Sequence, residues 1–148
     1  MKQIEKIAEA ENFSAINVGS LDKLGEYVLE MGPIKIPGKV FGGAALQATG
    51  GEFSFQMFMP GTETGFLHTH KTHEELYFFL KGKGEYQVDG NVFPVCEGSV
   101  VRVAPAGART IRNNGTEPLV MLCVQYRGNT FTQEDLADGI LLEDKVVW

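Results

Sequence analysis

All three histidines of this 148-residue chain, His68, His70 and His73, fall within six positions. Glu74 and Glu75 follow at once, and the stretch 66–82, FLHTHKTHEELYFFLKG, runs on as an aromatic segment. Imidazole nitrogens and carboxylate oxygens gathered this way are the donors of a metal centre or of an acid–base pair. In a strand, alternate side chains share a face. His68 and His70 therefore lie together, with Phe66 beside them. Glu75, Tyr77 and Phe79 share one face of the next strand, and Leu76, Phe78 and Leu80 take the other. Pairing of those two strands would bring two imidazoles and one carboxylate together. That set suits one divalent metal with open positions: Zn(II), Fe(II), Mn(II) or Ni(II). The competing reading is three histidines clustered on a surface loop. His73 sits beside the turn and reads as a surface or supporting residue.

The elements that must position these residues are nearly all β. Strand-like runs lie at 39–46, 52–59, 65–70, 75–80, 84–88, 92–95, 99–103, 109–113 and 119–127, and many of the breaks carry one of the 18 glycines. Asp89–Gly90 predicts a two-residue hairpin, because both central residues of a type I′ turn need positive φ. Short strands at this spacing predict an antiparallel sandwich or barrel. The alternation Phe53, Phe55, Met57, Met59 reads as one buried face of a strand. Residues 1–19 read as an irregular arm. Ser20 would cap a short helix carrying Leu21, Leu24, Tyr27 and Val28, ended by Gly32–Pro33. Thr132 with Asp135 reads as the start of a short C-terminal helix that stops before Gly139. The tail ILLEDKVVW is apolar enough to dock on the body or on a second subunit.

Bulk properties narrow the function. Apolar residues make up 43% and charged residues 22%, which is the globular range. The net charge of −6, with no basic stripe, disfavours nucleic acid. There is no apolar run of ~18 residues and no apolar leader at the N-terminus, so the expectation is a cytoplasmic protein without a membrane partner. Cys96 and Cys123 form no C-x-x-C pair and read as two reduced, mostly packed thiols.

His68-x-His70, four residues, Glu75, six residues, Gly82 resembles the first motif of the cupin superfamily. Gly61 stands for its opening glycine, separated from His68 by six residues where five are usual. The segment from Gly98 to Asn113, GSVVRVAPAGARTIRN, resembles the second motif, whose histidine would fall at position 109 counting from either end. That residue is Arg109. The resemblance covers roughly residues 52–126. It implies an all-β, cupin-type double-stranded β-helix (jelly-roll) barrel with a short N-terminal arm and one short C-terminal helix. The divisions would be 1–38 arm and helix, 39–130 barrel, and 131–148 tail. It also implies a small-molecule ligand inside the barrel, one divalent metal on His68, His70 and Glu75, and a homodimer.

Arginine has no lone pair for a metal. Three uses of Arg109 follow. It can meet an anionic ligand beside a three-ligand metal, pair with Glu75 in a metal-free pocket, or lean out of the barrel. Alternation puts Ile111 and Asn113 on the face of Arg109. Arg109, Tyr77, Phe66, Phe79 and Ile111 are the expected ligand-binding residues, although Phe66, Phe79 and Ile111 would serve equally as barrel filling. The catalytic residues, if the chain is an enzyme, are not named by the sequence. The functional reading is a small cupin that binds an anionic or oxygenated metabolite, either as a metal-dependent enzyme or as a metal-free sensing module.

Overall fold

The computed structural model describes residues 2–148, and among them twelve short antiparallel strands form the body of the fold. Two sheets face each other as a jelly-roll barrel. The larger contains β5 (Lys39–Phe41), β6 (Glu52–Phe58), β7 (His73–Lys81), β10 (Val100–Val103) and β12 (Leu119–Arg127), in the order β10-β7-β12-β6-β5. The smaller contains β8 (Lys83–Val88), β9 (Asn91–Cys96) and β11 (Arg109–Arg112), in the order β11-β8-β9. Between them lies an apolar core of Phe58, Tyr77, Phe79, Tyr86, Val95, Val103, Ile111, Leu119, Met121 and Cys123. The all-β barrel expected from the sequence is the fold observed.

Strand β6 of the larger sheet is covered on both faces, so its side chains do not follow the alternation expected of a half-buried strand. Phe53 and Phe55 are half-buried on the outer face of β6, while Ser54, Gln56 and Phe58 point inward. Met57 joins a second core with Leu24, Tyr27, Val40 and Val120, outside the barrel. Met59, expected to share the buried face, is 53% exposed. A strand covered on both sides has no obligation to alternate apolar and polar residues.

That outer cover comes from the N-terminal region, which is not an irregular arm. β1 (Glu5–Ala10) and β2 (Phe13–Asn17) form one hairpin. β3 (Val28–Met31) and β4 (Ile34–Pro37) form another, with Gly32–Pro33 at its turn rather than at a helix end. Between the hairpins lies only a 3₁₀ turn, Leu21–Glu26, and the Ser20 side chain does not cap it. The expected strand at 39–46 is β5 followed by one helical turn, α1 (Gly43–Leu46). At the other end, Glu134–Ala137 is a 3₁₀ turn rather than an α-helix. Asp135 still accepts bonds from the backbone N–H of Thr132 and from its hydroxyl at 2.8 Å. The side chains of Ile140, Leu141, Leu142, Val146, Val147 and Trp148 are exposed rather than docked on the barrel.

The turns behave as their residues dictate. Asp89 and Gly90 adopt φ of 50° and 81°, as the type I′ hairpin between β8 and β9 requires. The Asp89 carboxylate also accepts the Ala108 N–H at 2.8 Å, fastening this hairpin to the start of β11. Gly82, between β7 and β8, has φ of 80°, and a Cβ there would lie 2.3 Å from the Pro118 carbonyl oxygen. We predict that Gly82→Ala destabilises the fold by about 2–3 kcal/mol, combining backbone strain with that collision. Urea unfolding curves of the two proteins check this, with the loss showing as a lower midpoint at unchanged slope.

Candidate functional site

The histidine segment is not a strand and does not pair with β7. Residues 63–68 run beside β11, touching it through isolated bridges at Glu63–Arg112 and His68–Arg109. The His68 and Arg109 backbones exchange both hydrogen bonds, at 3.3 and 3.1 Å, and the His70 N–H donates to the Pro105 carbonyl at 2.8 Å. Glu75 arrives from the opposite sheet, on β7. The two walls of the barrel, rather than two neighbouring strands, therefore bring the donors together.

One ligand atom from each of His68, His70 and Glu75 lies within 4.8 Å of the others. His70 Nε2 is 3.1 Å from Glu75 Oε1. Two ligands at right angles on an ion with bonds near 2.1 Å would stand about 3 Å apart. His68 Nδ1 is buried and has no hydrogen-bond partner. Burial, opposed by the Glu75 charge and reinforced by Arg109, holds the His68 imidazole below its ordinary pKa, so the ring is in the neutral, ligating form at pH 7. His73 is exposed, as expected; its ring lies tilted beside that of His70, 5.5 Å between centroids.

Glu75 divides its two oxygens between two tasks. Oε2 accepts the Tyr77 hydroxyl and lies 3.1 Å from Arg109 Nε. Oε1 accepts Gln125 Nε2 at 2.7 Å and faces His70, with the Cys123 thiol at 3.7 Å. Burial works to raise the Glu75 pKa, but the Tyr77 and Gln125 hydrogen bonds and the Arg109 and His70 charges outweigh it. The carboxyl accordingly lies below its ordinary value. Burial pushes the Tyr77 phenol far up, so its role here is to orient Glu75 as a donor rather than to carry protons.

Arg109 and Glu75 are each 1% exposed. The Arg109 Nε–H is not aimed at Oε2, so that contact is charge against charge rather than a hydrogen bond. The guanidinium's outer nitrogens make long contacts with main-chain carbonyls: His68 and Pro105 at 3.5 Å, Ala104 at 3.4 Å. Its fork is occupied by the protein and is not offered bidentate to a ligand.

These side chains open onto a cavity of about 610 Å³ between the sheets. Of the expected ligand-binding residues, Arg109, Tyr77, Phe66 and Ile111 line it, with Phe66 half-exposed at its mouth. Phe79 does not. It packs edge-on against Tyr86, one layer behind the cavity wall. Asn113 is structural as well, donating to the Phe58 and Glu117 carbonyls at 2.8 Å. Sequence reasoning missed Lys39, Gln56, Tyr86, Cys123 and Gln125, all of which line the cavity. Period-two counting along β6 and β12 from their polar residues, rather than their apolar ones, would have found Gln56, Cys123 and Gln125. Nothing in the sequence singles out Lys39. Cys123 is buried beside Glu75, and burial pushes its thiol up to about 12. Cys96, expected to be packed, is exposed.

Removing one member of a buried ion pair strands the other charge. We predict that Arg109→Met costs about 3 kcal/mol in urea unfolding at pH 7. Adding Glu75→Gln to it should recover at least half, because the stranded carboxylate is then gone; additive losses would show that the two residues are not energetically coupled.

Residues 54–125 match the model of the cupin domain. Over 60 residues the chain is 38% identical to an uncharacterized protein of Methanocaldococcus jannaschii, covering 40% of this chain and 48% of that protein, so the match spans about half of that relative's length. A cupin protein from Bacteroides fragilis superposes with a TM-score of 0.67 at 30% identity, over 78% of this chain and 97% of that one. A Klebsiella pneumoniae protein with a double-stranded β-helix domain shares the fold at 24% identity and a TM-score of 0.56, over 76% of this chain and 91% of that one. The likeness to the Bacteroides protein spans nearly all of that chain, and this protein belongs to the cupin superfamily.

Proposed function

We propose that the chain binds a small, oxygenated and anionic metabolite inside its barrel, beside a divalent metal held by His68, His70 and Glu75. The observation that carries this reading is the convergence of those three donors within 4.8 Å at the wall of a ligand-sized cavity. The residues fit a metal on two counts. His68 Nδ1 is buried without a partner, and the His70–Glu75 contact has the spacing of two ligands on one ion. Oε1 of Glu75 faces the imidazoles, while Arg109 and Tyr77 hold Oε2 from behind.

Arg109 stands where the family motif has a histidine, and it changes the site in two ways. It cannot supply a fourth ligand, and its charge makes Glu75 a weaker donor to a dication. The metal would therefore be held by three protein ligands, leaving positions for water and ligand oxygens. When bound, the ion supplies Lewis acidity to a ligand carbonyl or hydroxyl. The chain's own residues orient the carboxylate through Tyr77, Gln125 and Arg109, and shield it from water. The reading includes Zn, Fe, Mn and Ni as candidate ions and names no reaction. The inward-facing ammonium of Lys39, left over once Arg109 is set against Glu75, supports an anionic ligand.

A second reading follows from the Arg109–Glu75 contact alone. With Glu75 already matched by a cation, the barrel would serve as a metal-free binding or sensing pocket. A homodimer is part of either reading, supported by the apolar side chains that the tail and the first hairpin leave in solvent, among them Ile7, Phe13, Leu141 and Trp148. The two free thiols support a reducing compartment, the cytoplasm. No helix among the described residues is long and apolar enough to cross a membrane.

Elemental analysis separates the two readings. The native chain, purified without chelator or metal-affinity resin, should carry or take up about one equivalent of a divalent ion, and His68→Ala/His70→Ala should carry none. Equal content in both proteins, or none in either, removes the metal and leaves the second reading.

A further inference from the structure

We propose that Lys39 selects the ligand of the barrel, and that the ligand is a monocarboxylic acid with an apolar body. The inference rests on the reading of the cavity as a binding site and goes beyond it by naming the recognising residue and the ligand's chemistry. Lys39 opens β5, at the edge of the larger sheet, where it pairs in register with Gln56. Its position is fixed by Gly38. That residue has φ of 75°, donates its N–H to the Tyr27 carbonyl at 2.8 Å and accepts the Met57 N–H at 3.0 Å. A Cβ at Gly38 would lie 2.6 Å from the Met57 carbonyl oxygen, so only glycine lets the chain enter β5 here.

The Lys39 side chain lines the cavity, with its ammonium 5.2 Å from the centre of the Phe41 ring. Among the described residues no carboxylate lies within ion-pair distance of it. The other cations of the cavity wall are committed. Arg109 rests against Glu75 and three main-chain carbonyls, and Lys35 pairs with Glu30 at 3.0 Å in solvent. Burial lowers the Lys39 pKa, opposed by the charge of Glu75. A sheltered ammonium without a counter-ion gains most from a ligand anion, through charge-assisted hydrogen bonds.

One uncommitted cation matches one carboxylate. Away from the histidine cluster, the wall offers little to a second charge. Ile36, Phe41, Met57, Phe66, Ile111 and Met121 make it mainly apolar. An acid group at Lys39 would leave the body of the ligand against these side chains.

The test is calorimetric titration of the full-length chain with pairs of acids and their neutral amides: acetate and acetamide, hexanoate and hexanamide, phenylacetate and phenylacetamide. Each titration is run on protein as purified and again after chelation. In the native protein the acids with an apolar body should bind at least ~10-fold more tightly than their amides, the worth of one charge-assisted hydrogen bond. Lys39→Gln should weaken the acids to the level of the amides without changing the amides. Lys39→Arg should keep the preference, and unchanged thermal midpoints confirm that both variants fold. Equal binding of acid and amide, or an acid preference that survives Lys39→Gln, overturns the assignment to Lys39 while leaving the barrel as a binding site. Failure of every acid and amide to bind overturns both.

Discussion

The contact of Arg109 with Glu75 holds the two walls of the barrel to each other at the site. Arg109 lies on β11 of the smaller sheet and Glu75 on β7 of the larger, and both are shut off from solvent. Two charges taken out of water are expensive, so the arrangement persists only because each is surrounded by partners. Tyr77 and Gln125 satisfy the carboxylate; main-chain carbonyls of residues 68, 104 and 105 surround the guanidinium. The main chain of Arg109 also grips His68. One residue thus sets the positions of a carboxylate through its side chain and of an imidazole through its backbone.

This dual role shows why a fold shared by many activities leaves the function open. The barrel supplies an open-mouthed, mainly apolar cavity and a place where side chains from both sheets converge. What the cavity can do follows from which charges remain uncompensated inside it. Glu75 and Arg109 largely cancel, the imidazole of His68 is neutral, and Lys39 is the cation left over, with the carboxylate of Glu63 in the lining exposed to solvent. A cation added at the histidines would share the cavity with that lysine.

Much of this was legible in the sequence, for physical reasons that differ by residue. β12 runs over residues 119–127 as expected, because its apolar run is bounded by Pro118 and Gly128. The Asp89–Gly90 turn is encoded by local sterics alone. The convergence of His68, His70 and Glu75 was legible because ligating side chains are rare and their clustering is conspicuous, although the donors meet across the barrel and not between paired strands. Phe79 was misplaced because alternation gives a face, not a depth; Tyr86 lies between it and the cavity. The N-terminal hairpins were hidden because most of their strand residues face solvent, so no buried face imposes a regular apolar alternation. Lys39 was invisible because its meaning depends on which other charges find partners, and that is a property of the folded chain.

The account turns on Glu75 serving two partners at once, with Oε2 toward Arg109 and Oε1 toward the histidines. The most direct measurement is an anomalous-difference map from crystals grown with Zn(II), collected on both sides of the zinc edge. The account predicts one peak within bonding distance of His68, His70 and Glu75 Oε1, with Arg109 still against Oε2. A map without a peak at this cluster, or one in which Arg109 has left Glu75 to admit the ion, would contradict it.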